Sequence, residues 1–200
     1  MTYARWNTNA TILPTGEVLV TGGTSLSNRS DPAGAVNAAE LWNPSDGTWR
    51  TLASSAPLLR GYHATSLLLP DGRVLHTGGG GGGGTPDNLN YELFSPPYLF
   101  KGARPTITGA TPGVVGYGQN LFVDTPDGDG IAKVTLIRLS SVTHAFDQSQ
   151  RLVSLNFSPT IGGVSVTLPV SQIDAPPGPY MLFLVNGSGV PSVGQIMRLQ

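Results

Sequence analysis

The chain carries three histidines and no cysteine, so metal or acid–base chemistry has few residues to rest on. His63 follows Tyr62 in Arg60-Gly61-Tyr62-His63-Ala64-Thr65, and His144 stands in Val142-Thr143-His144-Ala145-Phe146-Asp147. Two imidazoles and a phenol suit a transition metal. Imidazole binds copper, zinc, iron or nickel, and tetragonal nitrogen–oxygen sites favour copper(II). The alternative is a pair of ordinary hydrogen-bonded loop histidines. His76 lies within an apolar run and reads as a strand residue. The absence of cysteine excludes disulfides, thiolate metal sites and cysteine nucleophiles. No G-x-S-x-G elbow supports a serine hydrolase.

The elements that must position these groups are strands. With 27 glycines and 17 prolines in 200 residues, turns are too frequent for long helices. Apolar runs flank turn signals: Thr11-Ile12-Leu13 and Val18-Leu19-Val20 around Pro14-Thr15-Gly16, then Ser66-Leu67-Leu68-Leu69 and Val74-Leu75 around Pro70-Asp71-Gly72. Such pairs predict β-hairpins, and the fold class is all-β. Net charge is −1, which leaves no basic field for a nucleic-acid backbone. No apolar run approaches the roughly 20 residues of a membrane span.

An internal repeat organises the first half. Pro14, Gly16, Val18, Leu19, Thr21, Gly22 and Gly23 recur 56 residues on as Pro70, Gly72, Val74, Leu75, Thr77, Gly78 and Gly79. Glu40-Leu41-Trp42-Asn43-Pro44 resembles Glu92-Leu93-Phe94-Ser95-Pro96. The pattern is similar to a kelch repeat, whose unit of about 50 residues is one propeller blade. Trp42 and Trp49 are expected to serve blade packing. The same offset sets Tyr62 opposite Trp6 and His63 opposite Asn7, so the repeat does not demand Tyr-His there. A propeller closes with about 4–8 blades. Two blades are therefore expected to be the C-terminal part of a longer ring, with N-terminal blades missing. Beyond residue 101 the repeat stops. Seven short runs, from Thr106–Thr108 to Gln195–Leu199, predict an immunoglobulin-like sandwich over 102–200 after the two blades of 1–101.

Gly78 to Gly84 satisfies a phosphate-loop pattern trivially, with no helix signal after it. Asp124, Asp127 and Asp129 read as hairpin-turn residues, because the spacing lacks the later Glu of a calcium loop.

The stretch Arg60 to Val74, the run Tyr91-Glu92-Leu93-Phe94-Ser95-Pro96-Pro97-Tyr98-Leu99-Phe100 before Arg104-Pro105, the run Ser141 to Gln148, Pro177 to Phe183 and Gly189-Val190-Pro191-Ser192-Val193 together resemble the galactose oxidase and glyoxal oxidase family, over nearly the whole chain. The resemblance implies two last kelch blades followed by an early set (E-set) domain of a copper radical oxidase. Such enzymes oxidise primary alcohols, including carbohydrates, or aldehydes and reduce O2 to H2O2. It further implies copper bound by Tyr62, His63 and His144, with Tyr62 the axial ligand that takes the substrate's hydroxyl proton. Family members are mostly secreted. Their radical resides on a tyrosine crosslinked to cysteine, and that Tyr-Cys group cannot form in a chain without cysteine. The chain alone is therefore expected to be inactive. The rival reading is a non-enzymatic kelch and E-set module that binds glycan or protein.

Overall fold

A computed structural model describes residues 1–28, 31–54, 57–80, 87–109 and 111–200. In chain order the strands are β1 (Asn9–Ile12), β2 (Val18–Thr21), β3 (Ala38–Asn43), β4 (Thr48–Ser54), β5 (Ala64–Leu68), β6 (Val74–Gly78), β7 (Tyr91–Phe94), β8 (Val114–Val115) and β9 (Asn120–Asp124). They continue with β10 (Ile131–Arg138), β11 (Val142–Thr143), β12 (Phe146–Asp147), β13 (Leu152–Leu155), β14 (Phe157–Thr160), β15 (Gly163–Thr167), β16 (Gly178–Asn186) and β17 (Gln195–Leu199). Among the described residues the helical elements are single 3-10 turns, and the all-β class holds. The chain divides into two compact units. The first comprises Met1–Leu69, Arg73–Phe94 and Ser140–Gln150; the second comprises Pro70–Gly72, Ser95–Leu139 and Arg151–Gln200.

In the first unit the repeat in sequence is a repeat in geometry. One antiparallel sheet runs β1-β2-β3-β4 and another runs β5-β6-β7, so β1 and β5 are both edge strands. The turns match: Leu13 N donates to Glu17 O and Leu69 N to Arg73 O, each at 2.9 Å. The paired glycines close each hairpin with left-handed backbone, φ 65° and 91° at Gly22 and Gly23, 71° and 105° at Gly78 and Gly79. A Cβ on Gly22 would meet Arg60 O at 2.3 Å, so close backbone approach as well as φ requires glycine there. Of the glycine run, residues 81–84 lie outside the described residues.

Each sheet also carries a buried arginine clamp that the repeat comparison did not reveal. Arg5 donates to Gly22 O (3.0 Å) and Glu40 (2.6 Å); Arg60 donates to Gly78 O and Glu92, both at 2.9 Å. The guanidinium satisfies the carbonyl that the glycine turn removes from the ladder. Burial raises the Glu40 carboxyl, but the Thr2 N–H and Arg5 outweigh it and hold the group below its ordinary range. Arg5 and Arg60 sit one register apart relative to the 56-residue offset, which hid the clamp. Trp42 and Trp49 are a directly opposed cross-strand pair on β3 and β4 and stack on each other, with centroids 6.2 Å apart.

The two sheets meet through a buried hydroxyl pair, Thr21 Oγ1 and Ser66 Oγ at 2.8 Å. Ser66→Ala is expected to cost about 1–2 kcal/mol, because the Thr21 hydroxyl stays buried without its partner. The double variant Thr21→Val/Ser66→Ala is expected to regain most of that loss. Urea unfolding of the three proteins checks both, and an additive double variant would contradict the coupling.

The second unit is a sandwich of a five-stranded sheet, β13-β10-β16-β17-β8, and a three-stranded sheet, β14-β15-β9. Alternation buries Leu121 and Val123 of β9 and Val164 and Val166 of β15 against Val134 and Leu136 of β10 and Tyr180, Leu182 and Leu184 of β16. Six of the seven expected runs are strands. Thr106–Thr108 is not: its Thr106 N donates to Asp127 Oδ2 and its Thr108 N to Asp124 O, without a ladder. Asp127 thus spends a carboxylate oxygen on a backbone N–H, in line with its turn reading. The expectation lacked β8 and β14. β14 carries Pro159, tolerated because β14 is an edge strand.

Candidate metal centre

Tyr62 and His63 form the turn that delivers the chain into β5, closed by Ala64 N donating to Gly61 O at 3.0 Å. His63 has φ 63°, and Asn7, its counterpart in the repeat, has φ 49°. The fold therefore imposes the same left-handed bend before both edge strands. Asn and His are among the side chains that accept it most readily, so the bend alone does not select the imidazole.

His144 arrives on the β11–β12 hairpin, which belongs to the first unit although its flanking strands β10 and β13 belong to the second. The pairs Val142–Asp147 and Thr143–Phe146 leave a two-residue loop, His144-Ala145, with φ 53° and 60°. Positive φ at both positions is the type I′ hairpin turn, which usually takes Asn-Gly. Placing His and Ala there costs about 1–2 kcal/mol per residue. Backbone of this kind clusters at active sites and ligand clamps as well as in tight turns. Asp147 Oδ1 braces the hairpin base by accepting from Ser141 N (3.0 Å) and Ser149 N (3.2 Å). The Thr143 hydroxyl bonds His144 Nδ1 at 2.6 Å, which orients the ring and leaves Nε2 available.

The three rings converge. Centroids are 4.0 Å apart for Tyr62 and His63, 5.4 Å for Tyr62 and His144, and 4.8 Å for His63 and His144, despite 81 positions between the histidines. With ligand bonds of about 2 Å, an imidazole centroid lies roughly 3 Å from its metal, so two cis imidazoles have centroids about 4–5 Å apart. The observed 4.8 Å and the 68° between the histidine planes fit such a pair. Both histidines are exposed and Tyr62 is half-buried. Among the described residues no group of three His, Asp or Glu gathers, so a metal here would depend on the tyrosine oxygen as third donor.

His76 stays apart from this cluster, within β6, where it faces Ser66 on one side and Glu92 on the other. It is 3% exposed and its Nε2 has no hydrogen-bond partner. Burial, reinforced by the Arg60 charge and opposed by Glu92, lowers it to about 4.

Comparisons with known proteins show the family. Residues 104–199 match the family described as galactose oxidase-like, Early set domain. A galactose oxidase of Gibberella zeae is 32% identical over 98% of this chain, which spans 30% of that protein. An aldehyde oxidase of Vitis pseudoreticulata is 34% identical over the whole chain, which spans 42% of it. A solved fungal alcohol oxidase of the AA5 family, in complex with copper, superposes over the whole chain with a TM-score of 0.91 and 29% identity, the chain covering 43% of it.

Proposed function

The chain belongs to the galactose oxidase and glyoxal oxidase family, and from this we propose that Tyr62, His63 and His144 are the copper ligands of a radical oxidase acting on primary alcohols or aldehydes. The convergence of those three rings carries the reading. In it the two glycine-turn sheets are kelch blades, with Tyr62-His63 at the inner edge because β5 is the first strand of its sheet. The sequence from 104 onward is the E-set domain, and the enzyme is secreted, as the family resemblance implies.

Copper bound there supplies a one-electron acceptor in a two-electron oxidation. An alcohol yields its aldehyde as O2 becomes H2O2; an aldehyde takes up water and yields its acid with the same product. His63 and His144 supply neutral donors without adding charge. Tyr62 supplies an oxygen that can hold the substrate's hydroxyl proton. The strained hairpin keeps His144 in reach before any ligand arrives, so little ordering entropy is spent on binding. No cysteine exists in these 200 residues, so the crosslinked tyrosine of the family cannot form within them. We therefore expect binding of copper without turnover.

The test is a copper(II) titration followed by electron paramagnetic resonance. One copper per chain, coupled to two imidazole nitrogens and accompanied by no H2O2 from alcohols or aldehydes, is the expected result. A chain that ignores micromolar copper, or binds it without nitrogen coupling, would return the protein to the binding-module reading.

A further inference from the structure

The strained hairpin that presents His144 cannot hold its own position, since a two-stranded ribbon is marginal in water. It packs on β1 and β5, and a side chain six residues beyond His144 adds a polar tie to that packing. The carboxamide of Gln150 donates from Nε2 to Ala10 O at 2.8 Å and accepts from Ile12 N. Ala10 and Ile12 alternate with the residues of β1 that bond β2, so their free groups face outward along the open edge of the first sheet. An amide side chain presents a donor and an acceptor side by side, as a peptide unit does, and so substitutes for one rung of a neighbouring strand. Leucine or methionine at this position would leave both edge groups unpaired.

We propose that Gln150 is the positioning residue of the candidate centre: by pairing with Ala10 and Ile12 it docks the β11–β12 hairpin on the edge of β1 and aims His144 at Tyr62 and His63. The inference rests on the copper reading above for its purpose, but not for its geometry. Asp147 closes the hairpin internally, whereas Gln150 ties it to the sheet. The two residues thus have separable tasks.

The experiment compares wild type, Gln150→Leu and Gln150→Glu in the full chain. The glutamate keeps the acceptor for Ile12 N but turns an oxygen toward Ala10 O. Three quantities are read: nuclear Overhauser contacts between the Tyr62 and His144 rings without copper, copper affinity, and nitrogen coupling in the copper spectrum. Gln150→Leu is expected to lose the ring contacts, weaken copper binding 10–100-fold, and reduce two coupled nitrogens to one. Gln150→Glu should fall between. Tryptophan-monitored unfolding should shift only slightly: the hairpin belongs to the same unit as the three tryptophans, but Ala10 is exposed and Ile12 only half-buried, so water can take up the edge groups that the variant frees. Ring contacts that persist in Gln150→Leu overturn the proposal, as does a variant whose unfolding midpoint drops while its two-nitrogen spectrum survives. If wild type takes up no copper but Gln150→Leu still loses the ring contacts, the copper reading falls and the positioning role stands.

Discussion

Replacing His144 with asparagine will weaken copper binding by roughly 10²–10³-fold and remove one coupled nitrogen from the copper spectrum. The magnitude follows from structural metal sites, where about 10–16 kcal/mol is shared among four ligands, or about 2.5–4 kcal/mol each. The His144 ring is exposed, its Nδ1 bonds the adjacent Thr143 hydroxyl, and asparagine accepts its positive φ, so the replacement should leave the fold intact. His63 shares the left-handed backbone that penalises most residues, and takes the same replacement. His63→Asn reproduces the residue that the repeat itself uses at Asn7 and isolates the imidazole from the bend. It too should lose one nitrogen. Tyr62→Phe should keep both nitrogens yet weaken binding, since only an oxygen donor has gone. Ordinary loop histidines would give a different pattern, with all three variants indistinguishable from wild type in copper affinity and spectrum.

The first unit will lose about 3 kcal/mol of stability between pH 6.5 and pH 4 because of His76. Its folded value near 4 lies below the ordinary 6.5, so the unfolded chain binds the proton more tightly. The contribution is complete above pH 6.5 and drains as pH falls toward the folded value, at 1.36 kcal/mol per unit of difference. The cause is local: the ring is buried, its Nε2 lacks a partner, and the Arg60 guanidinium nearby repels the imidazolium. As pH falls through the ordinary carboxylate range, at the lower end of this window and beyond it, the Glu40 carboxyl adds to the loss. Its depressed value favours the ionised form beside Arg5, so its contribution is present at neutral pH and disappears as that carboxyl is protonated. His76→Val, which copies Val20 of the first repeat, removes the titrating group and should flatten the profile between pH 6.5 and pH 4.5. Tryptophan fluorescence during urea unfolding reports this unit selectively. A wild-type profile as flat as the variant's would contradict the buried-imidazole account.

The strands and turns were legible in the sequence because their causes are local. Alternating apolar residues, Pro-Thr-Gly and Pro-Asp-Gly turns and the paired glycines act over a few positions, and the 56-residue recurrence made the second sheet readable from the first. The tyrosine and two histidines could be singled out by type, because so few residues in this chain can do metal chemistry. Their convergence could not be derived that way, and resemblance alone suggested it. It depends on a hairpin that leaves the sandwich strands in sequence yet joins the first unit, on a two-residue turn that tolerates His-Ala at positive φ, and on a glutamine that reaches Ala10 across 140 positions. None of these leaves a periodic trace. The arginine clamps were missed for a related reason: Arg5 and Arg60 differ by one register, and only the guanidinium's length brings both onto equivalent glycine carbonyls. Short-range sterics and hydrophobic alternation set the elements, whereas long-range polar pairing at edges and turns decides which side chains meet.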